Sequence, residues 1–325
     1  MMSNNILNCE IDLGYWFSNL RTRKILGEKN IRLRSKVEFT TDALISGAGT
    51  YHFRHDDLKG VVGEGASQHS LELDKTRDKA YKVLAYSLIA LAIEKNKDQM
   101  ERDKEFPIIN LVTNYPLNIY NGQTKEQFEE FLKTSDFIHV FVNREHKLFW
   151  LKNCTVFPQT VPVSYANPSA FKNQIKGIVD IGGMTTQGVI LDSFNIIPSS
   201  RFTENLGCLN LYNKVRKALN SYFTVNIQDY EMPTIIKNGL RVNTKKSLEI
   251  IDEIIRDHIK EIQNAMTVNN WNEENIPIMF TGGGSLLLRE YLEEMFPHVE
   301  FSQDPLWDNA KGLRKVGEIF YGRQN

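Results

Sequence analysis

Gly177-Ile178-Val179-Asp180-Ile181-Gly182-Gly183-Met184-Thr185-Thr186-Gln187-Gly188-Val189-Ile190-Leu191 decides the reading of this chain. An apolar run brings the backbone to a carboxylate, Asp180. Two glycines and two hydroxyl residues then make a tight turn, and a second apolar run leads away. The pattern predicts a β-hairpin with a polar tip. Glycines at such a tip let backbone N–H groups approach an anion without interference from Cβ, and Thr185 and Thr186 add hydroxyl donors. Asp180, fixed at a strand end, is placed to hold a metal ion over the same anion, through water if the metal is Mg2+. An ordinary glycine-rich turn has the same local sequence, so the assignment depends on matching pieces elsewhere.

Near the N-terminus, Cys9-Glu10-Ile11-Asp12-Leu13-Gly14-Tyr15-Trp16-Phe17 repeats the chemistry, with a carboxylate at a strand end followed by a glycine turn. Two such hairpins predict a duplicated domain with one loop from each half turned to a shared ligand. A third piece is Ile276-Pro277-Ile278-Met279-Phe280-Thr281-Gly282-Gly283-Gly284-Ser285, read as a strand, a triple glycine and a helix from Leu286. A strand, a glycine turn and a helix N-terminus let a planar or anionic ligand lie close against backbone. Gln159 stands between Pro158 and Pro162, which restrict its backbone. A glutamine held near a phosphate orients an attacking water without being a strong base.

Between these pieces the pattern alternates strands and helices, as in an α/β domain. Runs over Ile31 to Phe39 and Ala43 to Ile45 lead into a hairpin from Thr50 to Ala66. A helix follows over about Lys75 to Asn96, with Ala80, Leu84, Leu88 and Leu91 on one apolar stripe and a charged opposite face. Ile108 to Pro116 reads as a buried strand, Glu126 to Lys133 as a short helix, and Phe137 to Val142 with Leu148 to Trp150 as a strand pair. Glu204-Asn205-Leu206-Gly207 precedes a helix with Leu211, Val215 and Leu219 on its stripe. Tyr222 to Asn243 is irregular and polar. Lys245 to Met266 is the clearest helix, with Leu248, Ile251, Ile255, Ile259, Ile262 and Met266 spaced by three and four. An apolar-patterned helix ends near Phe320.

At 325 residues, about two domains are expected. With 41% hydrophobic and 24% charged residues the composition is that of a globular protein. Lysine plus arginine (39) nearly cancels aspartate plus glutamate (40), so no global field recruits nucleic acid or an anionic membrane. Cys9, Cys154 and Cys208 are far apart, odd in number and without a CxxC spacing, which fits neither a disulfide framework nor a zinc site. The first residues lack a basic and apolar leader, and the longest apolar window is too short to span a bilayer. The expected location is the cytoplasm.

Asp12-x-Gly14, Gln159, Asp180-x-Gly182-Gly183-x-Thr185-Thr186 and Thr281-Gly282-Gly283-Gly284 occur in the order and approximate spacing of the phosphate-1, connect-1, phosphate-2 and adenosine motifs of the actin/Hsp70/sugar-kinase superfamily. Within it the chain resembles the bacterial actin-like proteins of the ParM type, which segregate plasmids. Gly63-Glu64-Gly65-Ala66, Val156-Phe157-Pro158-Gln159 and Asn309-Ala310-Lys311-Gly312 carry that finer likeness. The resemblance implies an actin-like fold: two RNase H-like α/β domains around a nucleotide cleft, each a five-stranded mixed sheet with a small insertion. Domain I would span 1–152, with its insertion near 31–66 and a C-terminal helix, 305–325, packed back on it. Domain II would span 153–304, with its insertion near 222–244.

The same resemblance implies Mg2+ with ATP, or GTP, in the cleft. Asp12 and Asp180 would hold the hydrated metal ion, Gln159 the hydrolytic water, and the Gly182-Gly183-Met184-Thr185 turn the β- and γ-phosphates. Gly282, Gly283 and Gly284 would meet the adenosine, and Gly14, Ser18, Thr186, Gly207 and Thr281 would complete the set. Subunits would stack head to tail into a polar, double-stranded filament, a heterologous contact that does not close. The filament would move plasmid DNA through a DNA-binding adaptor, with no direct contact to DNA or membrane, in the bacterial cytoplasm.

One departure bears on the chemistry. Where relatives of this type carry a phosphate-contacting lysine seven positions after the first aspartate, this chain has Asn19, and Trp16 stands where a glycine is often found. Either Arg21 or a lysine elsewhere supplies the charge, or hydrolysis is slower than in relatives. A phosphotransferase of the same fold and a structural filament that scarcely turns nucleotide over are the competing expectations.

Overall fold

The computed structural model describes residues 5–24, 27–40, 47–70, 72–97, 106–272, 274–296 and 298–322. The run Ala43 to Ile45 lies outside them. The chain divides into two compact units, Met1–Ala170 with Trp307–Asn325, and Phe171–Leu306. Among the described residues no helix is long and apolar enough to cross a membrane.

The first unit runs β1 (Ile6–Leu13), β2 (Phe17–Lys24), β3 (Gly27–Arg34), β4 (Val37–Phe39), β5 (Thr50–His55), β6 (Leu58–Gly63), a 3-10 turn (Lys75–Arg77), α1 (Lys79–Lys95), β7 (Ile108–Tyr115), α2 (Gly122–Leu132), β8 (Phe137–Val142), β9 (Glu145–Pro158), α3 (Pro162–Ala166) and α4 (Pro168–Phe171). Its sheet has nine strands in the order β3-β2-β1-β7-β9-β8-β5-β6-β4. The five strands that the resemblance implies are present as β3-β2-β1-β7-β9, with β1, β7 and β9 parallel. The other four extend it because β9 is long. Its later half pairs with β7, while its first half, Glu145 to Trp150, pairs antiparallel with β8. A division at 152/153 would cut this one strand, and the first unit instead continues through α3.

Helix α1 differs from its expected form. Asp78 is extended and its side chain caps the Ala80 N–H, so the helix begins at Lys79 and Lys75 sits in the 3-10 turn before it. Twelve of its 17 residues are buried, among them Tyr81, Tyr86, Ser87 and Ile89 off the expected stripe. The helix contacts β1, β2, β3, β4, β5, β6 and β8 of the sheet as well as the 3-10 turn before it, so its middle has no exposed charged face. A helix apolar all round is a core helix. The C-terminal helix, Asp308–Tyr321, packs on β1, β7 and α3, where Leu313 and Val316 meet Val112. Burial of each such side chain stabilises by about 2 kcal/mol.

The second unit runs β10 (Ile175–Ile181), β11 (Thr186–Asp192), β12 (Asn195–Ile196), β13 (Phe202–Glu204), α5 (Cys208–Phe223), α6 (Met232–Asn238), α7 (Thr244–Val268), β14 (Ile278–Thr281), α8 (Gly283–Leu287), α9 (Arg289–Met295) and β15 (Val299–Phe301). The sheet order is β12-β11-β10-β14-β15, with β13 pairing β11. Leu211, Val215 and Leu219 of α5 share one core with Ile251, Ile255, Ile259, Ile262 and Met266 of α7, as their spacing predicts. Leu248, placed on the same stripe by sequence, is 37% exposed, while its neighbour Ser247 is buried. The stretch 222–244 is not wholly irregular and carries α6. The helix after the triple glycine begins at Gly283, not Leu286.

Candidate functional site

In the first unit, three parallel strands end side by side. Asp12 lies near the end of β1, Asn114 near the end of β7, and Gln159 directly after β9, whose Pro158 pairs with Tyr115. The carboxyl ends of parallel strands are where open α/β sheets bind ligands, because the connecting loops leave a crevice there. Asn114 Nδ2 donates to Asp12 Oδ1 at 2.7 Å, and Asn114 Oδ1 accepts from the Leu13 N–H at 3.3 Å. Asp12 is half-buried, and burial raises its pKa, opposed by the Asn114 hydrogen bond, the charge of Lys75 and a hydrogen bond from Asn19.

Lys75 is buried under the tip of this hairpin. Its Nζ donates to the Leu13 carbonyl at 2.6 Å, and burial lowers its pKa to about 7 against the pull of Asp12. Gly14 is at the tip, where its carbonyl accepts from the Ser35 hydroxyl at 2.6 Å. Ser18, placed at the phosphates by resemblance, is buried, and its hydroxyl lies 2.8 Å from that of Ser35.

The Gln159 backbone is tightly held. Its N–H donates to the Tyr115 carbonyl at 2.8 Å and its carbonyl accepts from Val161 N–H at 2.9 Å. Thr160, the next residue, has φ +72° and is fully buried. That conformation is unfavourable for a β-branched residue and persists only where the surroundings impose it. The Thr160 hydroxyl is buried with no hydrogen-bond partner among the described residues.

In the second unit, β10 and β11 form the expected hairpin, with Ile181 opposite Thr186. The turn closes through Gly182 N–H to the Thr185 carbonyl at 2.9 Å. The carbonyls of Gly182 and Gly183 accept from Cys208 and Leu209, so the start of α5 is docked on the tip. A Cβ on Gly207 would stand 2.5 Å from the backbone of Met184, so this close approach requires glycine. Thr186 turns its hydroxyl inward to the Leu206 carbonyl at 2.8 Å, and the buried His258 ring nitrogen Nε2 lies 3.0 Å from the same oxygen. Thr185 is buried at the tip.

Strands β10 and β14 run parallel with Asp180 beside Thr281, which brings the second and third motifs together. Gly282 follows with φ +81°, and a Cβ there would collide with Asp180 Oδ1. Gly283 and Gly284 form the first turn of α8. The Thr281 hydroxyl accepts from Ser302 at 2.9 Å and is fully buried.

Each unit by itself presents a carboxylate near a strand end beside backbone that only small residues allow, and in the first unit the Thr160 hydroxyl next to Gln159 is buried with no partner among the described residues; carboxylates and backbone of this kind are the chemistry that a hydrated magnesium ion and a phosphate take. Asn114, Lys75, Ser35 and Thr160 were missed from sequence. Only Asn114 left a trace, as a polar residue closing an apolar run just before Pro116.

Comparison with known proteins adds the family. The profile described as the N-terminal domain of actin-like proteins matches residues 11–161, and the profile described as the C-terminal domain of the MreB-like archaeal actin homologue matches residues 178–294. No curated protein matches the chain. Among solved structures, an archaeal actin homologue is 17% identical, covering 96% of this chain and 99% of its own, with a TM-score of 0.77. Its complex with ADP is 16% identical over 97% and 99%, with a TM-score of 0.70. A 15-stranded ParM filament from Clostridium botulinum is 19% identical over 97% and 100%, with a TM-score of 0.73. At these identities the likeness is one of fold. With an actin-like profile on each unit and that fold from end to end, the chain belongs to the actin-like proteins and has the ParM type of their fold.

Proposed function

We propose that this protein is a nucleotide-dependent, polymerising ATPase whose filaments segregate plasmid DNA through a DNA-binding adaptor in the bacterial cytoplasm. The observation that carries the reading is the doubled motif: Asp12 before Gly14 in one unit, and Asp180 before Gly182 and against Gly282 in the other, each carboxylate near the end of a strand. Each set is a tip of the kind that lets backbone N–H groups approach a phosphate. The ADP complex of the archaeal homologue and the ParM filament support the nucleotide and the assembly respectively.

In this reading Asp12 and Asp180 would hold the hydrated magnesium ion, which would supply neutralisation of phosphate charge. The glycine tip of β10–β11 meets the phosphates, and Gly282 lets backbone approach the nucleoside. Gln159 orients a water for attack on the terminal phosphorus; it takes no proton permanently, since a carboxamide is a poor base. Removal of that phosphate biases the assembly, as in other nucleotide switches. Subunits join head to tail, and the near balance of charge, 39 against 40, leaves DNA to the adaptor.

Light scattering of the purified protein after Mg-ATP is added, with phosphate release followed in the same cuvette, tests this. A rise followed by phosphate release and decay is expected. A stable rise without phosphate would select a structural filament, a reading that the absence of a lysine at Asn19 favours. No rise at any workable concentration would overturn the proposal.

A further inference from the structure

Lys75 is fully buried, which lysine tolerates only with partners for its charge. Its ammonium donates to the Leu13 carbonyl at 2.6 Å and lies 3.5 Å from the Asn114 carbonyl. The Tyr15 and Tyr81 rings flank it at 5.6 and 5.5 Å, within cation–π range. Asp12 attracts it. The turn that bears it is itself anchored: Asp74 accepts from the Thr76 N–H at 3.1 Å, the Thr76 hydroxyl at 2.6 Å and the Tyr115 hydroxyl at 2.5 Å. Lys75 therefore reaches the hairpin from a segment fixed to the end of β7, and touches the peptide that separates Asp12 from Gly14.

A purely structural tie between a turn and a carbonyl needs a donor and no charge. Burying an ammonium for that purpose alone would cost several kcal/mol. The charge has a use where a carboxylate, Asp12, must be held beside a phosphate-binding tip. Asn19 pairs directly with Asp12 across β1 and β2 and brings no charge of its own.

We infer that Lys75 is a positioning residue of the first hairpin: it fixes the Leu13–Gly14 backbone from beneath and, when protonated, supplies positive charge beside Asp12, for binding of a magnesium-bound nucleoside triphosphate. This rests on the nucleotide reading above. It assigns Lys75 no contact with substrate. The two neutral substitutions separate charge from hydrogen bond. Lys75→Gln keeps a donor for the Leu13 carbonyl and Lys75→Met keeps neither.

The test is titration of the full-length chain with a fluorescent ATP analogue, with Mg2+ and with EDTA, beside the thermal midpoint of the nucleotide-free protein. Lys75→Gln should lose about tenfold or more in affinity with Mg2+, with a midpoint within a few degrees of wild type. Lys75→Met should lose at least as much affinity and more of its midpoint. Adding Asn19→Lys to Lys75→Gln should recover part of the affinity. Wild-type affinity in Lys75→Gln overturns the inference alone, as does failure of both single variants to fold, because a structural role would then suffice. A wild-type chain that binds no analogue overturns the nucleotide reading beneath it.

Discussion

Asn114 holds two consecutive residues of β1 with one side chain, donating to the Asp12 carboxylate at 2.7 Å and accepting from the Leu13 N–H at 3.3 Å. Both bonds cross from the end of β7 to the turn of the first hairpin, so Asn114 sets where the carboxylate points. Asn114→Ala removes both and leaves Asp12 less restrained. The expected outcome is a stability loss of about 1–3 kcal/mol, read by urea denaturation, and a fall of roughly tenfold in Mg-nucleotide affinity. Asn114→Asp should be worse for affinity, since a second carboxylate would face the first. Unchanged affinity in Asn114→Ala would remove it from the site.

Gly282 and Asp180 are constrained together. At φ +81° glycine is favoured for backbone reasons, and any Cβ would collide with Asp180 Oδ1 and the Ile181 carbonyl. Gly282→Ala must therefore shift a strand end or displace the carboxylate. A loss of at least about 1 kcal/mol is expected from conformation alone, with nucleotide binding abolished. Calorimetric titration checks the second part, and wild-type binding would show that Asp180 has room to move without consequence.

Much of this arrangement was legible because each motif combines a local turn with a strand. Asp180 and Gly182 could be read as a hairpin tip from alternation and glycine alone, and the α5 and α7 stripes from spacing. What stayed hidden needed contacts distant in sequence. Lys75 reads as the first residue of an amphipathic helix, and only Asp78, capping Ala80, separates it into a turn aimed at Leu13. The extent of cover on α1 was equally unreadable, because part of it comes from strands β4, β5, β6 and β8, which a helical pattern alone does not announce. Ser18 and Thr186 have the residue type expected at phosphates, yet fold context turned both hydroxyls to protein partners.

Glu10, two residues before Asp12, gives a pH signature. Burial raises its carboxyl to about 8; Arg314 and Arg21 oppose the shift and Glu318 adds to it. Between the ordinary carboxylate range and about pH 8 the folded protein keeps a proton that the unfolded chain has lost. The stability this contributes is complete below the unfolded pKa and is lost as pH rises through 8. Glu10→Gln, which cannot ionise, should match wild type in thermal midpoint near pH 5 and exceed it above pH 8.5. A wild-type profile parallel to that of Glu10→Gln across this range would mean that Glu10 is ionised throughout.

Thr160 offers a direct test of whether strain beside Gln159 serves the reaction. A buried threonine in ordinary geometry loses about 2 kcal/mol or more when cut to glycine, through lost contacts and a freer unfolded chain. At φ +72°, with an unpartnered hydroxyl, Thr160 already carries costs that glycine removes. Thr160→Gly should leave stability within about 1 kcal/mol of wild type. If the imposed backbone and the hydroxyl orient Gln159 and its water, phosphate release should slow by about tenfold while Mg-nucleotide affinity holds. A variant that releases phosphate at the wild-type rate would assign the strain to the join between β9 and α3, where the chain must turn to start a helix at Pro162, and would separate it from the chemistry of Gln159.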